Sequence, residues 1–138
     1  MKTPSDVFNN VQAILAHLND LKTHLAITAP PPTIPPAFQT TPTDIYRKTD
    51  EVLAVVRSVS EKLKLGAVEI TSPPSEIEPR DIFANTARVI HYLIQVKRRL
   101  GVQDRTAPHK ASLRISPSHI IVAAERALLE IKQVDSAL

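Results

Sequence analysis

Thr3-Pro4-Ser5-Asp6-Val7-Phe8 is a helix start, and the chain writes it four times. It returns as Thr41-Pro42-Thr43-Asp44-Ile45-Tyr46, as Glu78-Pro79-Arg80-Asp81-Ile82-Phe83 and as Ser116-Pro117-Ser118-His119-Ile120-Ile121. A Thr or Ser before the proline is an N-cap, whose hydroxyl accepts an orphan backbone N–H. Proline fits the first helical position because its fixed φ suits the helix and its missing N–H costs nothing there. Asp6, Asp44 and Asp81 complete a capping box and set negative charge at the positive helix end. Glu78 is a weaker cap. Ile77 compensates by stapling against Ile82, and Ile115 does the same with Ile120.

Counting from the prolines at 4, 42, 79 and 117 aligns everything downstream. Three residues on stand Val7, Ile45, Ile82 and Ile120; fourteen on stand Leu18, Val56, Leu93 and Ile131. The apolar offsets 3, 7, 10, 14, 17 and 21 alternate by four and three, which is a heptad seam. Offsets 4 and 11 widen it into the face of a bundle helix. A strand would repeat every two residues. Gly66 and Gly101 read as C′ glycines, and Pro30 ends the first repeat. The chain is therefore expected to be all-α, a single domain over 1–138. It forms a four-helix bundle of four single-helix repeats of about 38 residues, with helices near 4–27, 42–65, 79–100 and 117–137.

Three proline-bearing linkers, 28–40, 67–77 and 102–115, join the helices. They are long for a bundle, where about 2–8 residues suffice. They are not purely polar, since Ile34, Phe38, Val68, Ile70, Leu113 and Ile115 fall within them. Ordered segments that lay apolar side chains on the bundle are expected, rather than loose tethers. Thirteen extended residues reach about 43 Å, and a 22-residue helix is about 33 Å long. The linkers could thus return the chain for parallel stacking, but sequential helices commonly pack antiparallel, and that topology is the expectation. Two pairs related by a pseudo-two-fold are the alternative.

Composition narrows the function classes. Two glycines in 138 residues leave little for nucleotide-binding loops, and twelve prolines are divided between helix starts and linkers. There is no cysteine, hence no disulfide framework or thiolate metal site. No stretch approaches the length of an apolar membrane span. Met1-Lys2-Thr3 is not followed by an apolar signal core. A cytoplasmic location is expected if the chain is complete, a periplasmic or secreted one if a leader was trimmed. No Gly-x-Ser-x-Gly, P-loop or His-Glu-x-x-His is found, so no catalytic residue is assigned, no cofactor is expected and the protein reads as a non-enzyme.

Three groups of residues remain as candidate sites. His17, Asp20 and His24 share a helix face at i, i+3 and i+7, with donor types that suit zinc or copper. Ordinary polar residues on a solvated face would look the same. Tyr46, Thr49, Phe83 and Thr86 could line a pocket between helices. The aromatic position they include, Phe8, Tyr46 and Phe83, reads first as packing near the bundle end. Lys97, Arg98, Arg99 and Arg105 form a basic patch, extended by Lys110 and Arg114. Cations in a last helical turn also complement the dipole. The patch lacks interleaved aromatics, and 14 acidic residues balance 17 basic ones, which counts against nucleic acid. The leading expectation is a protein–protein interaction or scaffold module for an acidic partner. The other is a ligand-sensing bundle, with the architecture of bacterial receptor input domains, holding a small molecule or metal between helices.

Overall fold

The computed structural model describes residues 3–28, 33–34, 40–66, 68, 72–107 and 115–138. Among the described residues there are four helices: α1 (Pro4–His24), α2 (Pro42–Lys62), α3 (Pro79–Leu100) and α4 (Pro117–Ala137). Each begins at its anchoring proline. Thr3 and Thr41 accept the N–H of Asp6 and Asp44 at 3.3 and 3.2 Å, and the aspartates accept the cap N–H in return. Those bonds hold the Asp44 carboxyl below the usual range. At α3 the Glu78 N–H donates to Asp81 Oδ2 at 2.8 Å. In α4 a histidine does the aspartate's work: the Ser116 N–H donates to His119 Nδ1 at 3.1 Å.

The ends correct the expected boundaries. α1 and α2 stop three residues short of 27 and 65. In both, the chain turns through a left-handed residue, Ala26 (φ 56°) and Lys64 (φ 57°), at the same offset as Gly101 (φ 70°) after α3. Each turn carries a 6→1 bond: Ile27 N–H to Lys22 O, Leu65 N–H to Ser60 O, and Val102 N–H to Lys97 O. This is the Schellman motif, with its apolar residue folded back. Ile27, Leu65 and Val102 all pack on the core. The apolar residues read as a continuing helix thus belong to its closing turn, and Gly66 lies two residues beyond the left-handed position it was expected to fill.

The helices pack in a ring in the order α1, α3, α2, α4, with α1 beside α3 and α4, and α2 beside the same two. The backbones of α1 and α2, and of α3 and α4, nowhere come within 8 Å between Cα atoms; each pair lies on a diagonal. All four run in the same direction. One apolar cluster gathers Val7, Val11, Ile45, Tyr46, Ile82, Ile120 and Ala123, all from the first two turns of their helices. A second gathers the later turns, including Leu18, Leu21, Val56, Val59, Leu93, Val96, Ile131 and Val134. An antiparallel bundle would mix starts with ends, so the expected up-down topology is overturned. The physical reason lies in the linkers, which are long enough to span the bundle and apolar enough to rest on it. Val68 is 7% exposed within the second cluster, while Ile77 and Ile115 pack on the first. Phe38, Ile70 and Leu113 fall outside the described residues.

Parallel packing aligns four helix dipoles, an arrangement that must be offset. Asp6, Asp44 and Asp81 sit in first turns; Lys22, Lys62, Lys97, Arg98 and Arg99 sit in last turns. The charge gradient of the side chains opposes that of the backbones.

Candidate functional site

Because the helices run in parallel and in register, each seam pairs the same offsets. The sixth residue after a proline reaches across to the seventh or eighth of the next helix in the ring. Asn10 Nδ2 donates to Thr86 Oγ1 at 3.1 Å, and Asn85 Nδ2 donates to Thr49 Oγ1 at 2.8 Å. Lys48 pairs with Glu125 at 2.7 Å and with Glu51 at 2.8 Å; burial alone would lower its pKa, and these two bonds raise it. At the fourth seam Ala123 and Val11 are apolar and buried. This polar layer separates the two apolar clusters.

The layer absorbs the residues expected to line a ligand pocket. Thr49 and Thr86 are buried, and each hydroxyl also donates within its helix, to Tyr46 O at 2.8 Å and Phe83 O at 2.9 Å. Tyr46 and Phe83 pack in and against the N-terminal cluster, which is the packing reading of that aromatic position. These hydroxyls are spent on joining helices. Asn10 and Asn85, the other halves of the layer, escape sequence reasoning. Their signal was present: the sixth position reads Asn10, Lys48, Asn85, Ala123 beside an otherwise apolar seam.

A second polar cluster lies where α3 ends against α1. Lys97 was expected in the surface patch, but it is only 2% exposed. Its ammonium donates to Asp20 Oδ2 at 2.8 Å and to His17 Nδ1 at 3.1 Å, and it also pairs with Asp104. Burial alone would lower the Lys97 pKa, and the two carboxylates reverse that and raise it. Asp20 is equally enclosed. Burial pushes its pKa up, but bonds from Lys97, Thr106 and Arg105 win and hold it below the usual carboxylate value. His17 is pushed down, first by burial and then by the Lys97 charge, against the pull of Asp104 and Asp20. A neutral ring with Nδ1 as acceptor fits that environment.

Asp20 also fastens the segment after α3. Its carboxylate accepts the Arg105 N–H at 3.2 Å and the Thr106 N–H at 3.0 Å, while Asn19 Nδ2 donates to Thr106 Oγ1 at 2.7 Å. Residues 102–107 thus form a strap drawn across the outer face of α1. Between strap and helix lies an open cleft of about 440 Å³. Asn19, Asp20, Thr23 and His24 line one side, with Gly101 to Gln103, Arg105 and Thr106 on the other.

This geometry redraws the metal candidate. His17 and Asp20 do meet, but around the Lys97 ammonium, which occupies the place a cation would take. His24 sits on the cleft wall, exposed. Among the described residues no three His, Cys, Asp or Glu side chains are grouped to hold a metal ion. Of the basic patch, Arg98, Arg99 and Arg105 are exposed, and none has a side-chain ion pair among the described residues. Lys22 and Lys62, at the same end, are paired with Glu130 and Asp135. Lys110 and Arg114 lie outside the described residues. No helix described is long and apolar enough to cross a membrane. The chain matches no protein-family model, no curated protein and no solved structure.

Proposed function

We propose that the protein is a non-enzymatic interaction module that docks an acidic protein surface against the C-terminal end of its bundle. One observation carries this reading. Lys22, Lys62 and Lys97 are neutralised by carboxylates, whereas Arg98, Arg99 and Arg105 at the same end are exposed and have no acidic partner among the described residues. Arginine is the cation best suited to contacts with carboxylates, through its planar fork of donors. Concentrating unpaired arginines at one end gives the surface a direction, and such a field raises association rates with an oppositely charged partner. The parallel bundle supplies a rigid base for them.

Charge reversal tests the reading. The protein and its Arg98→Glu/Arg99→Glu variant are used as baits in native purifications from the source cell. A partner with an acidic surface that is retained by the first and lost by the second supports docking at this end. Identical recoveries with both baits would refute it. The variant should remain folded because both side chains are exposed, with a small fall in thermal midpoint from the two cations lost at the end of α3.

A further inference from the structure

The cleft between α1 and the strap has a chemistry of its own. Its one carboxylate, Asp20, has both oxygens engaged, by Lys97 and by the N–H groups of Arg105 and Thr106. That acid is therefore fully engaged, although Lys97 divides its single positive charge between Asp20 and Asp104. Arg105, which lines the cleft, is exposed and has no ion pair among the described residues. Polar residues accompany it: Gln103 and Thr106 on the strap, and Asn19, Thr23 and His24 on the helix. An unpaired arginine beside polar residues, on a strap anchored through its own backbone, suits a single carboxylate.

We infer that this cleft is a carboxylate seat: it takes one glutamate or aspartate side chain of an acidic peptide segment, with Arg105 as its anchor. The inference rests on the interaction reading above and names the point at which an acidic partner is gripped. Arg98 and Arg99 then act at longer range, steering the segment toward the cleft. The Asp20–Lys97 pair holds the strap, and so holds the backbone from which Arg105 projects.

The strap is fastened through the Arg105 N–H, not its side chain, so Arg105→Gln leaves the fastening intact. The test is a titration of isotopically labelled protein with hexaglutamate, and with hexaglutamine as control, at low ionic strength, where charge contacts are least screened. Saturable hexaglutamate binding that shifts the amides of Asn19, Thr23, Gln103 and Thr106 is expected, with roughly tenfold weakening in Arg105→Gln, the worth of one charge-assisted contact. Arg98→Gln/Arg99→Gln should weaken binding and flatten its salt dependence while leaving the same amides shifted. Binding that survives Arg105→Gln but fails in Arg98→Gln/Arg99→Gln would overturn the seat and leave docking at the basic end standing. Absence of hexaglutamate binding by the parent would also overturn the seat, and docking would then be judged by the purification with Arg98→Glu/Arg99→Glu. Equal binding of hexaglutamine would overturn the assignment to a carboxylate.

Discussion

Lys22 and Lys97 occupy the same slot, eighteen residues past their prolines, and serve different ends. Lys22 crosses from α1 to α4 and meets Glu130 at 2.9 Å; Arg126 stands by on the other oxygen at 3.2 Å. Three charges from two helices make that pair purely a joint between them. Lys97 crosses from α3 to α1, and its partner Asp20 also holds two backbone N–H groups of the strap. The first seam is scaffold. The second has been extended into an attachment for a linker, and the cleft lies beside it. In a repeated architecture the common slot shows what the bundle requires, and the added contacts show what one copy does besides.

The difference can be broken most forcefully at Lys97. Lys97→Met would strand Asp20 in a buried place with only the neutral donors of the strap. A loss of about 3–5 kcal/mol is expected, the range for breaking one side of a buried ion pair, read by urea denaturation. Lys22→Met should cost less, about 1–3 kcal/mol, since Arg126 still answers Glu130. Equal costs at the two sites would erase the distinction.

Acidity should separate the seams next, more gently. The folded state holds the His17 pKa below 6.5, so its ring stays neutral where the unfolded chain takes up a proton. Stability is then full above pH 6.5 and declines as pH falls from there toward the folded value. His17→Gln should flatten that part of a melting-temperature profile. Asp20 and Asp104 are also held low, so their contribution persists above 3.8 and is lost as pH falls through their folded values. Asp20→Asn should blunt this acid limb.

The smallest expected effects lie at the closing turns. Ala26 and Lys64 hold positive φ with ordinary side chains, while α3 has Gly101 there. Ala26→Gly and Lys64→Gly should each stabilise by about 0.5–1 kcal/mol in chemical denaturation. Gly101→Ala should cost a similar amount. Nothing lies within 4 Å of an added Cβ at Gly101, so the cost would be conformational rather than steric.

Helix starts and the core seam were legible because local physics writes both. A hydroxyl, a proline and an aspartate suffice for the cap, and Val7, Leu18, Val56 and Leu93 recur at heptad spacing. Direction was harder to read. The heptad pattern is the same for parallel and antiparallel neighbours, and only the linkers distinguish them. Val68 carried that information, as an apolar residue in a segment long enough to climb the bundle. The candidate site was half legible. His17 and Asp20 were singled out as ligands for a cation, and a cation does lie between them, supplied by Lys97 from 77 residues beyond Asp20. Spacing along one helix cannot reveal a partner brought in by another. The strap carries no periodic signal at all, since backbone N–H groups of Arg105 and Thr106 do its binding.

The diagonal placement of α1 against α2, and of α3 against α4, has a consequence for how the molecule is born. Every close backbone approach between helices joins the first half of the chain to the second. A nascent chain that has released α1 and α2 holds two amphipathic rods with no helix to lie against, and burial can begin only when α3 emerges. Folding is therefore expected to be non-local for a helical protein and slow for its size. The two halves, cut at the linker between α2 and α3, are expected to be disordered apart and to assemble when mixed, which circular dichroism of the separate and combined fragments would reveal.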